Sequence, residues 1–284
     1  MSQFFFTKMS GAGNDFIIFD KKSNPELNLN PQIITNICHR RFGIGADGVI
    51  LIDDSNDYDF EMTYYNADGS TGSLCANGAR CSLLYAKKTN RIGSNLARFK
   101  SNGIEYSGEI IDEEIVRFYL NSPEGLKTRF KIKAADQLIT ASFINTGSPH
   151  IVIKIADVLR DPKNPCSNTF SMDDFPVFEL GKEIRYSKDF LPSGTNVNFI
   201  EISDDVIKIR SYERGVENET LACGTGSVAA AIISYINDKI QPPVKLIPKS
   251  GDLLVVDFKF DNNQIMDLSL TGPVKIIFNG DITI

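Results

Sequence analysis

Two cysteines stand at positions where a thiol could do chemistry. Cys75 in "LCANGARC" and Cys223 in "LACGTGSVAA" each begin a Cys-x-x-Gly motif, and a small-residue segment with helical spacing follows each of them. The N-terminus of a helix carries partial positive charge and unpaired amides, which lower the pKa of a neighbouring thiol and can hold a substrate carboxylate. The sequence therefore predicts two sites that bind an anionic group and transfer a proton.

The segments that carry these cysteines resemble each other. Residues 64–81 and 211–230 both run from a strand through a polar loop and the Cys-x-x-Gly motif into a small-residue helix. A second pair of similar segments, each an asparagine-bearing turn that leads into a strand, covers residues 10–18 and 193–202. We expect two like halves that place the two cysteines on opposite walls of one cleft.

Such a cleft could move a proton across one carbon atom. One cysteine, as a thiolate, would remove an α-hydrogen from one face, and the other, as a thiol, would deliver a proton to the opposite face. The substrate carboxylate, held between two helix N-termini, is where negative charge develops. Acid–base catalysis of this kind contributes roughly 10²–10⁴-fold for each group, and it needs no cofactor.

The elements that must position these motifs are strands and helices in alternation. Helices are predicted at 30–41, with Pro31 in the first turn, at 76–89 and at 226–238. Strand-like runs follow the second helix as far as about residue 156, whereas 157–190 is predicted to be rich in loops. The mixture predicts an α+β protein with mostly antiparallel strands.

Charge and apolar content exclude several classes of protein. A net charge of -6 and a pI near 5.1 argue against nucleic acid or an anionic membrane as the partner. The longest apolar run, 228–236, is far shorter than the roughly 20 residues that span a bilayer. Five cysteines at irregular spacing fit free thiols in a reducing cytoplasm better than a disulfide framework. We expect a cytoplasmic protein with a small-molecule partner.

The remaining cysteines and the histidines belong to no metal-binding pattern. Cys81 lies within the helix that Cys75 begins and is expected in the core, whereas Cys38 and Cys166 are expected to be packing or surface residues. The two histidines lack the spacing of metal ligands, so the sequence predicts no metal site.

A literal G-x-G-x-x-G occurs at 43–48, but its context is reversed. The dinucleotide fingerprint follows a strand and opens a helix, so that the pyrophosphate meets the helix N-terminus. Here a predicted helix precedes the motif and a strand-like run follows it. The motif is interpreted as a glycine-rich turn between a helix and a strand.

Six motifs in a fixed order resemble those of one enzyme family. They are "GAGNDF" (11–16), "NADGS" (66–70) with "CANGARC" (75–81), "GSPH" (147–150), "NVNF" (196–199), "YERG" (212–215) and "ACGTG" (222–226). Together they resemble diaminopimelate epimerase, a pyridoxal-independent family that interconverts LL- and meso-2,6-diaminopimelate for lysine and cell-wall synthesis. The resemblance implies a cofactor-independent isomerase, and it runs from residue 4 to the last strand.

The resemblance also implies an architecture. The expected fold is two pseudo-symmetric domains, each a mixed, mostly antiparallel sheet curled around a central helix, with the active site in the cleft between them. Residues 1–120 with 270–284 would form the half that carries Cys75, and residues 121–269 the half that carries Cys223. Members of the family are often dimers, so a homodimer is a further expectation.

Site residues follow from the matching motifs. Cys75 and Cys223 would be the acid and the base. The backbone amides of Ala76, Asn77, Gly224 and Thr225 would hold the reacting carboxylate, and Asn14, Asn66, Asn196, Glu213 and Arg214 would read the distal amino-acid group. Arg214 can fork onto a carboxylate, and Glu213 can accept hydrogen bonds from an ammonium.

Three positions depart from the family pattern. Ala76 stands where glycine is common after the first cysteine, and Ser148 stands where "GNPH" has an asparagine. Gly48 stands where some members have a glutamine. Together with His150, Ser148 and Gly48 are further candidate contacts to the substrate. The changes leave the two-cysteine chemistry intact and affect the grip on the distal group.

Other functions remain open at this point. A proline or hydroxyproline racemase of the same fold would not need the Glu213-Arg214 pair, and a phenazine-type isomerase would lack both cysteines. A thiol redox switch could oxidise across a narrow cleft, but the sequence has no C-x-x-C motif. A non-catalytic amino-acid binding protein would not need cysteine, because serine binds a carboxylate equally well.

Overall fold

A computed structural model of the protein describes residues 2–72, 74–164, 170–262 and 264–284. Within them the chain is an α+β protein, as predicted. Its strands in the first part of the chain are β1 Gln3–Gly11, β2 Asn14–Asp20, β3 Gly48–Asp53, β4 Phe60–Asn66, β5 Leu96–Ser101, β6 Ile104–Ile110, β7 Ile115–Tyr119, β8 Glu124–Ala134 and β9 Gln137–Asn145. The later strands are β10 Pro149–Lys154, β11 Asn196–Ser203, β12 Val206–Glu213, β13 Asn218–Thr220, β14 Val244–Ile247, β15 Leu254–Asp261, β16 Gln264–Pro273 and β17 Lys275–Thr283. The α-helices are α1 Pro31–Cys38, α2 Ala76–Lys88, α3 Val177–Arg185 and α4 Gly224–Asp238.

The chain divides into two compact units. Unit 1 consists of Met1–Leu120 and Thr271–Ile284, and unit 2 of Asn121–Leu270. Unit 1 is therefore discontinuous along the chain, because the whole of unit 2 intervenes between its two parts.

The sheet of unit 1 is mixed and mostly antiparallel. Its strands pair in the order β17-β1-β2-β3-β4-β5-β6-β7, and only the β2–β3 and β4–β5 pairs are parallel. A parallel pair needs a crossover connection, and here α1 and α2 supply the two crossovers.

Helix α2 lies at the centre of unit 1. It packs against β1, β2, β3, β4, β6 and β7, and all its residues from Ala76 to Ala86 are buried. Alanine, glycine and serine at the start of the helix let the surrounding strands approach closely, whereas Lys87 and Lys88 end it in a less buried position. Helix α1 lies outside this core and begins as predicted, because Asn30 caps the amide of Ile33 and Pro31 is the first helical residue.

The sheet of unit 2 follows the same plan. Its strands pair in the order β8-β9-β10-β11-β12-β14-β15, and the parallel pairs are β10–β11 and β12–β14. Helices α3 and α4 are the crossovers of these pairs. The short strand β13 pairs with the C-terminal end of β12.

Helix α4 is the central helix of unit 2. It packs against strands β9 to β12, β14 and β15, and nearly all of its residues from Gly224 to Ser234 are buried. A helix that is apolar on every side is buried on every side, which explains the run of alanine and isoleucine in its sequence. No helix in the described part of the chain has the length and apolarity needed to cross a membrane.

The two units repeat one topology, which confirms the duplication inferred around the cysteines. In both, five successive pairings are antiparallel, parallel, antiparallel, parallel and antiparallel, and each Cys-x-x-Gly motif opens the helix of the second parallel pair. The second pair of similar segments was wrongly matched. Residues 10–18 join β1 to β2, whereas 193–202 lead into β11, whose counterpart is β3.

Two elements differ from the sequence prediction. Helix α3 lies within 157–190, which was predicted to be rich in loops, and it forms because Val177, Leu180 and Ile184 recur on one buried face. Strand β8 was not predicted because seven of its first eight residues are exposed and show no apolar alternation. The G-x-G-x-x-G of residues 43–48 does lie between a helix and a strand, as predicted.

Candidate active site

Cys75 and Cys223 occupy the same backbone position in the two units. Each is the N-cap residue of its central helix, with φ -99° and ψ 114° for Cys75 and φ -106° and ψ 107° for Cys223. The first hydrogen bonds of the two helices join Ala79 N to Cys75 O (2.8 Å) and Ser227 N to Cys223 O (2.9 Å). The amides that precede these donors lie outside the helical ladder, at the positive end of each helix.

Asn14 contacts the half-buried Cys75, and it is linked in turn to Asn77 and Arg80. Its Sγ donates to Asn14 Oδ1 at 3.5 Å, and Asn77 Nδ2 donates to the same oxygen at 3.2 Å. Asn77 Oδ1 in turn accepts a hydrogen bond from Nη2 of the fully buried Arg80 at 3.0 Å. The Asn14 side chain thus contacts the thiol directly.

Behind Asn14 lies a cluster of charged side chains. Asn14 Nδ2 donates to Asp47 Oδ2 at 2.6 Å, and Arg40 bridges Asp47 and Asp15 through Nη2, at 2.6 and 2.7 Å. Burial opposes ionisation of Asp15, but hydrogen bonds from Arg40 and Lys8 outweigh it and lower its pKa to about 2. Burial and the charge of Asp15 raise the pKa of Asp47.

Cys223 is more enclosed than Cys75. The residue is 5% exposed, and its Sγ lies 3.8 Å from Thr225 Oγ1. Burial and the neighbouring carboxylate of Glu213 raise the pKa of the Cys223 thiol, although the Gly226 amide and the Thr225 hydroxyl act in the opposite direction. The expectation of a lowered pKa is therefore wrong for Cys223, because desolvation and a like charge exceed the effect of the helix N-terminus.

His150 lies beneath this site as a neutral imidazole. It is fully buried, and its Nε2 lies 3.0 Å from Thr225 Oγ1 and 2.9 Å from Ser148 Oγ. Asn198 Nδ2 faces both Ile151 O (2.9 Å) and His150 Nδ1 (3.2 Å). Since a carbonyl only accepts, Nδ2 is the donor, so Nδ1 is the acceptor and Nε2 carries the proton. Burial and the charge of Arg214 lower the pKa of His150 to about 3.

The hydrogen bonds of the Asn196 side chain go to other groups of the protein. Its Nδ2 donates to Pro149 O at 2.9 Å and Ser148 Oγ at 3.3 Å, and its Oδ1 accepts from Arg214 N at 2.9 Å. The Arg214 guanidinium donates to Ser193 O at 3.0 Å. Asn196 therefore fixes the backbone that carries Arg214.

Arg214 lines an open cavity of unit 2. The cavity has a volume of about 770 Å³. Lys127 and Lys131 supply two further cations, Asp189 supplies one carboxylate, and Phe130, Phe143 and Phe190 supply apolar surface. The wall thus suits an anionic group attached to an aliphatic chain.

The glycines of the site contact the protein itself. A Cβ at Gly48 would lie 2.5 Å from Cε2 of Tyr64, so the Tyr64 ring fills the space that a glutamine would need. A Cβ at Gly78 would meet Ile50 and Met62, and one at Gly226 would meet Asn198 Oδ1 at 2.2 Å. The missing side chains at Gly78 and Gly226 therefore let the protein itself pack closely.

The structure groups most of the predicted residues within their own units. In unit 1, Asn14, Cys75, Ala76 and Asn77 are adjacent, and in unit 2 Cys223, Gly224 and Thr225 adjoin Glu213, His150, Ser148, Asn196 and Arg214. Asn66 instead hydrogen-bonds to the turn that it begins, with Nδ2 3.0 Å from Ser70 Oγ.

Sequence reasoning missed the side chains that support the site. Asp47, Arg80, Asn198 and Ser211 were not predicted, and Ser211 Oγ donates to Asn198 Oδ1 at 2.8 Å. Three of them stand inside motifs, since Asp47 belongs to "GIGADG", Arg80 to "CANGARC" and Asn198 to "NVNF". Polar residues at those positions were the available signal.

The other thiols lie where the sequence placed them. Cys81 and Cys38 are buried free thiols, and burial raises the pKa of Cys38 to about 12. Cys166 lies outside the described residues. Among the residues that the structure describes, no group of three or more His, Cys, Asp or Glu side chains could hold a metal ion.

Comparison with known proteins identifies close similarities in sequence. The sequence model of the family described as diaminopimelate epimerase matches residues 6–121 and 142–277. Diaminopimelate epimerase of Chlorobaculum tepidum is 39% identical over 97% of this chain and 100% of its own length. That of Aquifex aeolicus is 35% identical over 98% of this chain and 97% of its own length.

Solved structures of lower identity share the fold. A probable proline racemase from Agrobacterium radiobacter matches with a TM-score of 0.72 at 12% identity, over 99% of this chain and 93% of its own. A phenazine biosynthesis protein of the PhzF family from Bacillus anthracis also has a TM-score of 0.72, at 11% identity over 100% of both chains.

Proposed function

The chain belongs to the diaminopimelate epimerase family, and on that premise we propose that it interconverts LL- and meso-2,6-diaminopimelate by two-base proton transfer between Cys75 and Cys223. The observation that carries this proposal is the shared N-cap position of the two cysteines on the central helices. The product would serve lysine and peptidoglycan synthesis.

The proposed reaction balances without an outside reactant. The thiolate of one cysteine takes the α-hydrogen as a proton, and the electron pair of the broken C–H bond is delocalised into the carboxylate. The thiol of the other cysteine then protonates the opposite face of the same carbon. Each turnover exchanges the protonation states of the two cysteines, so the reverse reaction starts from the exchanged state. Amides of Ala76, Asn77, Gly224 and Thr225 would hold the carboxylate.

Glu213 has a second task beside the Cys223 thiol. Cys223 is protonated at neutral pH because its pKa is raised, so it must lose a proton before it can act as the base. Glu213 is a carboxylate within hydrogen-bonding reach of the thiol, and it can take that proton. Its predicted hydrogen bond with the distal ammonium remains part of the proposal.

The distal group of the substrate would meet Arg214. A guanidinium forks onto a carboxylate, and Asn196 holds the backbone of this residue in place. Ser148 and His150 act behind this contact, since they bond to Asn196 and Thr225. Asn14 and Asn66 remain predicted contacts of unit 1.

The test is proton NMR of LL-diaminopimelate with reduced enzyme in D₂O. We expect the α-proton signal to disappear while the meso isomer forms. A parallel sample of proline should keep its α-proton signal. Exchange of proline instead of diaminopimelate would move the substrate to the proline class and retain the two-cysteine chemistry.

The redox alternative gives a different result in the same experiment. A thiol switch would exchange neither substrate, and its Cys75 and Cys223 thiols would titrate reversibly with oxidant. An epimerase loses exchange under mild oxidation and regains it with reductant. If fully reduced enzyme exchanges the α-proton of neither substrate, the proposed reaction is rejected.

A cytoplasmic location and a homodimer also belong to the proposal. Free thiols at Cys38, Cys75, Cys81 and Cys223 support a reducing compartment. The homodimer rests on the family resemblance alone. Cell fractionation and sedimentation equilibrium would test the two statements separately.

A further inference from the structure

We propose that Arg80 and Asp47 are positioning residues that force the Asn14 amide to present its oxygen to the Cys75 thiol. The inference rests on the proposed function only in giving Cys75 a task, since the geometry itself concerns the state of the thiol. An asparagine amide can bind in two orientations that exchange its oxygen and its NH₂ group, and neighbours decide between them.

One end of the arrangement is the buried Arg80 in α2. A guanidinium only donates hydrogen bonds, so the Asn77 atom that faces Arg80 Nη2 at 3.0 Å is its oxygen. The NH₂ group of Asn77 consequently points to Asn14, at 3.2 Å. Asn77 therefore requires an acceptor on the Asn14 side chain.

The other end is Asp47, in the turn before β3. An ionised carboxylate only accepts, so the Asn14 atom 2.6 Å from Asp47 Oδ2 is its NH₂ group. Arg40 Nη2 occupies the second oxygen of Asp47 at 2.6 Å, which holds the carboxylate in place. Asp47 therefore requires a donor on the Asn14 side chain.

Both requirements select the same orientation. Every hydrogen bond from Arg80 through Asn77 and Asn14 to Asp47 donates in one direction. Asn14 Oδ1 then faces Cys75 Sγ at 3.5 Å and accepts from its S–H group. The reversed amide would bring two NH₂ groups together at Asn77 and place an oxygen on the carboxylate of Asp47. The chain of amides thus favours the thiol form of Cys75 over the thiolate.

The direct test is the S–H stretching band of Cys75, measured by Raman spectroscopy and assigned by its loss in Cys75→Ser. Each single substitution leaves the opposite end of the arrangement intact, so the test variant is the double substitution Arg80→Met with Asp47→Leu. In it Asn77 no longer faces a guanidinium, and Asn14 Nδ2 and Asp15 N lose the oxygen that they share, so neither end fixes the Asn14 amide. We expect the Cys75 band to move toward the frequency of a thiol without an acceptor. Asp53→Asn removes an exposed carboxylate at the other end of β3 and should leave the band unchanged. An unmoved band in the double variant would overturn the proposal.

A measurement on the unaltered protein covers the case in which the double variant does not fold. Protein with ¹⁵N-labelled asparagine shows the side-chain NH₂ of Asn14, assigned with Asn14→Ser. Its shift should follow the titration of Asp47, whereas that of Asn102, which donates to Gly72 O, should stay constant. An Asn14 signal that does not follow the titration would overturn the proposal.

Neither spectroscopic measurement requires turnover. A protein that shows both spectroscopic results but no exchange of diaminopimelate would refute the proposed function and keep this inference. If the enzyme exchanges diaminopimelate but the Cys75 band of the double variant is unmoved, the proposed function stands and this inference is refuted.

Discussion

The two half-sites share a backbone and differ in the groups that contact the sulfur. Cys75 is half-buried and meets the amide oxygen of Asn14, which an ion cluster supports. Cys223 is buried and meets the carboxylate of Glu213 and the hydroxyl of Thr225, which a neutral histidine supports. The duplicated topology thus determines where each thiol lies, and its polar neighbours determine its protonation.

The same contrast appears at the first residue of two equivalent strands. Gly48 begins β3 in unit 1, and Asn196 begins β11 in unit 2, where each pairs in parallel with the preceding strand. Tyr64 fills the space beside Gly48, whereas the Asn196 side chain binds Ser148 and Arg214. Only unit 2 therefore uses this position to hold a polar side chain.

The largest expected effect is loss of either thiol. Cys75→Ala and Cys223→Ala should each lower epimerisation by about 10³-fold, because each removes one of two acid–base groups. Each variant should still exchange the α-proton of one stereoisomer with solvent, and the two variants should differ in which isomer that is. NMR in D₂O measures both rates, with Cys38→Ala as the control. Near-full turnover in either variant would contradict the two-base assignment.

Replacing Glu213 should change the reactivity of Cys223, the cysteine that it contacts. Glu213→Gln removes a negative charge beside Cys223, so the pKa of that thiol should fall and its alkylation by iodoacetamide should accelerate at lower pH. Epimerisation should fall by about 10²-fold, because the proton acceptor is gone. A risen KM would show in addition that Glu213 binds the distal ammonium. Glu217→Gln, a carboxylate of the same turn, should leave Cys223 reactivity unchanged, and an equal acceleration there would refute the pairing.

Acid should destabilise the two units in different pH ranges. The pKa of His150 is lowered to about 3, so its contribution is present above about pH 6.5 and is lost as the pH falls from there toward 3. The pKa of Asp15 is lowered to about 2, so its contribution of about 2 kcal/mol is lost only between about pH 3.8 and 2. Hydrogen exchange by mass spectrometry should show β10 and β11 losing protection before β2. Simultaneous loss in the wild type would contradict this, and His150→Asn should remove the earlier phase.

The smallest effect is expected from a substitution at Gly48, the first residue of β3. Gly48→Ala should lower the free energy of unfolding by about 1–3 kcal/mol, because its Cβ would lie 2.5 Å from the Tyr64 ring and from Tyr65 O. Gly93→Ala is the control, since a Cβ there meets nothing within 4 Å. Urea denaturation measures both. Equal free energies of unfolding for the two variants would show that the Tyr64 ring can move aside without loss of stability.

The sequence predicted the helices that carry chemistry better than the elements around them. Cys75 and Cys223 were found because local features, a glycine motif and small residues, mark the start of a buried helix. Strand β8 and helix α3 were missed because an exposed strand has no apolar alternation and prolines obscure a short helix.

The support of the site could not be read from local features. Asp47 reaches Asn14 across 33 positions of the chain, and Asn198 reaches His150 across 48. The pKa of Cys223 depends in the same way on burial and on Glu213, which only the folded chain brings together. The local sequence predicts the partial positive charge of the helix N-terminus, which would lower the pKa of the Cys223 thiol. Burial and Glu213 raise that pKa instead.

The discontinuity of unit 1 has a consequence for synthesis on the ribosome. Strand β1 pairs with β17, whose residues 275–283 follow the whole of unit 2 along the chain. At about 5–20 residues per second, the nascent β1 waits on the order of tens of seconds for that neighbour. During this interval, while unit 2 is being made, one edge of β1 is open to other chains. Chaperone dependence during translation should therefore belong to unit 1, the first to begin and the last to be completed.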